Sequence, residues 1–118
     1  MNRTALMAVF LLAGCTGEDR QDPPGPAPAA QLEVTGAEAY ELACASCHAT
    51  GAGEAPETGD AAAWSGRSVL WEAVLFDHAK KGYLGMPPKG GAPQLSDRSV
   101  VSAVEYMMSV TYPDMRPD

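Results

Sequence analysis

At 118 residues, 46% apolar and with a formal charge of −7, the chain is long enough for one small domain and a short extension. Its acidity argues against a nucleic acid partner. Three cysteines, an odd number, exclude a scaffold in which every thiol is paired in a disulfide.

The chain opens with Met1-Asn2-Arg3, which carries a positive charge, and continues in an apolar run from Ala5 to Ala13. That run is too short to span a bilayer and has the form of a signal-peptide core. It ends in Leu12-Ala13-Gly14-Cys15, which resembles the lipobox of bacterial lipoproteins. Cleavage before the cysteine would leave a lipidated Cys15 at the new N-terminus, and two or more acyl chains give stable anchoring where one is marginal. An ordinary secretory signal with an incidental cysteine is the plainer alternative, but small residues abutting a cysteine at the end of the core favour the lipoprotein. The absence of Asp after Cys15 slightly favours the outer membrane, by analogy with enteric sorting. Residues 1–14 are therefore read as the signal peptide, and losing Arg3 with them takes the charge from −7 to −8. Residues 15–33 form a lipidated linker: from Thr16 to Ala30 there is no large apolar side chain and proline is dense, so the segment cannot bury a core. At about 3 Å per residue where it is extended, it would hold the domain tens of Å from a membrane.

Residues 34–118 read as the domain. Thr35 and Glu38 form a capping box. The helix they open carries Tyr40 and Leu42 and runs into Cys44-Ala45-Ser46-Cys47-His48, the C-x-x-C-H spacing of covalent haem attachment. Two thiols one helical turn apart can each form a thioether to a haem vinyl group, and the following His48 then offers an imidazole nitrogen to the iron. Half of a four-ligand zinc site is the competing reading, but only Cys15, His78 and carboxylates remain as further ligands. A thioredoxin-like pair would follow a strand in a βαβ unit, and the sequence contains no such unit. With Cys44 and Cys47 on haem and Cys15 on lipid, no thiol remains for a disulfide.

Asp60 is placed to cap a short helix from Ala61 to Trp64. Ser68 is placed to cap a longer one, with Val69, Leu70, Ala73 and Val74 apolar, that ends at Lys80-Lys81 before Gly82. Ser96 is placed to cap the last helix, in which Val100, Val101, Val104, Met107 and Met108 keep helical spacing. No segment alternates with period two, so the domain is expected to be all-α. A core of this size is marginal alone, and a haem would supply the missing apolar volume.

The sixth iron ligand decides between electron transfer and an open site for gas binding or catalysis. Met86 lies in a loop rich in Gly and Pro, Lys81 to Gly91, where a methionine has no helical face to pack on and two prolines stiffen the backbone. Met107 and Met108 keep core spacing. His78 lies within a helix, followed by two lysines, and reads as solvated or at the domain edge. Loop chemistry thus favours Met86.

These residues together resemble the cytochrome c5 type within the class I c-type cytochromes. The matching stretches are Tyr40 to His48, Ala55-Pro56, Gly59-Asp60, Trp64, His78-Ala79, Met86-Pro87-Pro88-Lys89-Gly90-Gly91, Leu95-Ser96-Asp97 and Ala103 to Met107. The resemblance implies a small helical fold around one covalently attached haem c, with crossing N- and C-terminal helices. It implies Cys44 and Cys47 as thioether sites, His48 and Met86 as axial ligands, and the Pro56 carbonyl as acceptor for the His48 ring. It places Trp64 and Arg67 near the haem propionates, with core packing as the alternative for Trp64. Many members carry a C-x-x-C disulfide after the methionine loop. Ala92 and Leu95 stand there in this chain, so that loop is expected to be held by packing.

The implied function is one-electron transfer in the bacterial cell envelope, with redox proteins as donor and acceptor, by a periplasmic, lipid-anchored monomer that is not an enzyme. The alternative is an electron-entry subunit of a larger redox enzyme; a haem enzyme or gas sensor is a third class. Ordinary solvated surface is the favoured reading of the uneven charge; the sharper hypothesis is a docking rim around the exposed haem edge, in which Lys80, Lys81 and Lys89 steer an acidic partner.

Overall fold

The computed structural model describes residues 29–67 and 72–115, so the signal peptide, Cys15, most of the linker and the expected Ser68 cap lie outside the described residues. The domain is helical. Among the described residues the extended structure is limited to two isolated bridges, Leu32 with Leu95 and Tyr83 with Met86.

Thr35 opens α1 (Gly36–Ala39) through a complete capping box. Its hydroxyl accepts from the Glu38 amide at 3.3 Å, and the Glu38 carboxylate accepts from the Thr35 amide at 2.9 Å and hydroxyl at 2.7 Å. These bonds hold the Glu38 carboxyl below the ordinary carboxylate range. The chain then passes through a π-helical turn, Tyr40–Cys44, into α2 (Ala45–His48). Single π turns inside helices are frequent at functional sites. Here the turn delivers the chain directly to Cys44. Asp60 caps α3 (Ala61–Trp64) as expected, its carboxylate accepting from the amides of Ala62 at 3.0 Å and Ala63 at 3.2 Å. α4 (Glu72–Lys81) ends before Gly82, and Ser96 caps α5 (Asp97–Thr111) by accepting from the Ser99 amide at 3.0 Å.

α1 and the π turn cross α5, and the crossing explains Gly36. A side chain there would run into the Ser102 carbonyl and the Tyr106 side chain, so only glycine lets the two backbones come this close. Ala39 and Tyr40 from one side meet Val100, Ala103, Val104 and Met107 from the other, the spacing expected for the last helix. Tyr40 and Tyr106 rings sit 5.3 Å apart at 52°.

A buried serine fastens the chain entering the domain. Ser99 is completely buried, and its hydroxyl accepts from the Val34 amide at 2.9 Å and lies 3.1 Å from the Val34 carbonyl and 3.2 Å from the Ser96 hydroxyl. A buried hydroxyl with several partners avoids the cost of an unmet polar group. It places the start of α5 beside the end of the linker.

Candidate haem site

His48 is built into a loop that returns on itself. Its ring is buried, and Nδ1 lies 2.8 Å from the Pro56 carbonyl oxygen. A carbonyl only accepts, so this contact fixes the proton on Nδ1 and leaves Nε2 with its lone pair free to coordinate. The Thr58 amide donates to the His48 carbonyl at 2.7 Å. Trp64 stacks over the histidine, ring centroids 5.9 Å apart and 25° between planes, and its indole N–H donates to the Glu57 carbonyl at 2.9 Å. The ring that follows the second cysteine is therefore held in position, orientation and tautomer.

The two cysteines are free thiols, Cys44 half-buried and Cys47 exposed. Burial pushes the Cys44 thiol up to about 11, and the neighbouring Cys47 adds to the rise. Among the described residues no cluster of three or more His, Cys, Asp and Glu is placed to hold a metal ion.

Met86 lies in a tight reversal. Its amide donates to the Tyr83 carbonyl at 2.9 Å and its carbonyl accepts from the Tyr83 amide at 3.0 Å. Lys81 to Pro88 line a shallow hollow of about 410 Å³ that includes Met86. Met86 is half-buried and packs on the core. His78, expected to be solvated or at the domain edge, is half-buried. It lies flat on Tyr83, centroids 3.8 Å apart and planes at 4°, bracing the near end of the loop.

A large apolar group fits this architecture. Among the described residues, Leu95 and Ser99 are the largest fully buried side chains. A histidine with one nitrogen committed, two free thiols on the turn before it and a methionine in a hollowed loop supply the donors of a haem site.

A family model described as cytochrome C oxidase, cbb3-type, subunit III matches residues 31–107. The chain is 43% identical over 79 residues to cytochrome c-555 of Chlorobaculum thiosulfatiphilum, covering 64% of this chain and 92% of that protein. The chain belongs to the class I c-type cytochromes. Cytochrome c5 of Azotobacter vinelandii is 36% identical over 66 residues, 54% of this chain and 80% of that protein. A solved chain from an electron transfer complex of nitrite reductase with cytochrome c aligns with a TM-score of 0.61 and 36% identity, over 69% of this chain and 99% of that one. This cytochrome thus carries one covalent haem c, with the Cys44–Cys47 pair of its C-x-x-C-H motif, and acts as an electron carrier.

The rim hypothesis loses Lys89 in the fold of this cytochrome. Lys89 does not extend from a docking rim. Its side chain is 15% exposed, its Nζ donates to the Leu95 carbonyl at 2.6 Å, and it lies 3.1 Å from Asp97 Oδ1. The loop after Met86 is accordingly held by an ammonium clamp in addition to packing. Lys81 pairs with Asp77 at 2.7 Å on the exposed face of α4, so the rim is not a row of three unpaired cations. Arg67 is exposed and donates to the Ala63 carbonyl at 2.7 Å, and the Trp64 indole N–H donates to Glu57. These bonds tie both side chains to the backbone around α3. The buried roles of Ser99 and Lys89 escaped sequence reasoning. For Ser99 the one signal was its place on the apolar stripe of α5; for Lys89 there was none.

Proposed function

We propose that this cytochrome is a lipid-anchored periplasmic carrier of single electrons, with thioethers at Cys44 and Cys47 and axial ligation by His48 and Met86. The haem supplies reversible one-electron Fe(III)/Fe(II) chemistry. His48 offers Nε2 because Nδ1 is held on Pro56, and that hydrogen bond raises the basicity of the ligating nitrogen. Met86 offers a soft thioether from a loop closed by its own backbone bonds to Tyr83. With both axial positions filled, electron gain and loss require little rearrangement of either side chain.

The observation that carries this reading is the His48–Pro56 contact at 2.8 Å beside an unpaired cysteine pair. In Met86→Ala the sulfur-to-iron charge-transfer absorption of the ferric protein is expected to vanish; its retention would remove Met86 from the site. Coverage of nearly all of cytochrome c-555 supports a self-contained carrier over a subunit of a larger enzyme. Likeness to a cytochrome c that forms a complex with nitrite reductase supports a redox protein as partner. The anchor rests on Leu12-Ala13-Gly14-Cys15. Cys15→Ser is expected to release the protein from the membrane fraction and abolish acyl mass at the N-terminus; a fully membrane-bound variant would refute lipidation.

A further inference from the structure

We propose that Lys89 is a positioning residue for Met86, an ionic clamp that holds the methionine loop on the start of α5; this rests on Met86 being the sixth ligand. Two residues, Pro87 and Pro88, separate Met86 from Lys89, and the turn between them is confined. Pro87 is extended and Pro88 fixes its own φ, leading into a short turn, Pro88–Gly91. Within it Lys89 lies at φ 54° and ψ 28°, and Gly90 at φ 63°. Left-handed backbone is unfavourable for lysine and persists where the surroundings hold it.

The holding contacts are visible. The Lys89 ammonium donates to the Leu95 carbonyl at 2.6 Å and pairs with Asp97 at 3.1 Å, so it bridges the methionine loop to the first residue of α5. Leu95 is itself 1% exposed and pinned by the Leu32 bridge, which makes its carbonyl a fixed point. On the other side of the turn, Gly90 lies against the Ala43 carbonyl, next to Cys44. The clamp therefore presses the turn between α5 and the segment that carries the first thioether cysteine. Ala92 and Leu95 carry no thiols, so a salt bridge and a charge-assisted hydrogen bond do here what a covalent link cannot.

The consequence concerns how often the Met86 sulfur leaves its place. An external ligand takes the sixth position only in the open fraction, so its apparent affinity scales with that fraction. Losing a largely buried charged hydrogen bond is expected to raise the apparent affinity of ferric holoprotein for imidazole about tenfold in Lys89→Met. Lys89→Arg, which keeps the charge and the donors, is expected to restore most of the wild-type value. Asp97→Asn, at a more exposed partner, is expected to shift it by about twofold. Ser99→Ala serves as the stability control, because it is expected to lower the unfolding midpoint while removing neither contact of Lys89.

The test is imidazole titration of the four ferric holoproteins and wild type, read by the loss of the charge-transfer band, with helix unfolding followed separately by far-ultraviolet circular dichroism. Tighter imidazole binding in Lys89→Met but not in Ser99→Ala supports the clamp. Unchanged binding in Lys89→Met with the band intact overturns it, as does a shift in Ser99→Ala equal to that in Lys89→Met. If Lys89→Met does not accumulate as holoprotein, the comparison of Asp97→Asn with Ser99→Ala decides on the same terms. Met86→Ala is titrated alongside: a surviving band there would defeat the ligand assignment, an outcome separate from any result at Lys89.

Discussion

The two sides of the haem site are held by different means. Around His48 the contacts are short in sequence and engage the histidine's own ring and backbone: Pro56 on Nδ1, Thr58 on the carbonyl, and Trp64 stacked above and tied to Glu57. Around Met86 the hydrogen-bonded groups are backbone, and the bracing comes from neighbours: Tyr83 across the reversal, His78 stacked on Tyr83, and Lys89 at the far end. Leu84 at the tip of the reversal is 90% exposed and left-handed at φ 51°. Regions with exposed backbone bonds and few buried contacts open at lower free energy than packed ones. The histidine side is therefore built as a fixed wall and the methionine side as a latch. With His48 and Met86 as the proposed iron ligands, such an arrangement would keep the histidine bond constant while the methionine bond would depend on how well its loop is held.

The sharpest way to break this comparison is at Gly90. A methyl group there would meet the Ala43 carbonyl at a position already left-handed at φ 63°. Both the clash and the strain act on backbone that cannot swing away, so Gly90→Ala is expected to cost about 2–4 kcal/mol. The loss is expected to fall mainly on the latch. Guanidinium titration would show the charge-transfer band disappearing at a lower midpoint than the helical signal. Coincident transitions, both shifted equally, would mean that the loop and the helices open as one unit and that no separate latch exists.

The elements themselves were legible because their determinants are local. Thr35 with Glu38, Asp60 with its two amides, and Ser96 with Ser99 are each decided within four residues, and the apolar stripe of α5 needs only helical spacing. The motif at Cys44–His48 and the methionine loop were legible for the same reason. Contacts that join distant segments were not. Ser99 meets Val34 across 65 positions, and its place on the apolar stripe of α5 hints at burial without naming that partner. Lys89 in a Gly-Pro loop reads as a surface cation, because sequence carries no sign that the turn folds its side chain back onto Leu95. His78 similarly gains its place only when the loop returns Tyr83 to its face.

The wall can be tested by a smaller change. Trp64 is 6% exposed, stacks on His48 and donates its indole N–H to Glu57. Trp64→Phe keeps an aromatic face for the histidine but removes that donor and leaves the Glu57 carbonyl without it. Loss of one buried hydrogen bond, together with the smaller ring volume, is expected to cost about 1–2 kcal/mol. If the wall is a single packed unit, this loss lowers the global unfolding midpoint while the charge-transfer band and the helical signal continue to disappear together. The apparent imidazole affinity should stay at the wild-type value, because the opening of the methionine loop does not pass through Trp64. An increase in imidazole affinity equal to that from loosening Lys89 would show that the two sides open together, and the distinction between wall and latch would fail.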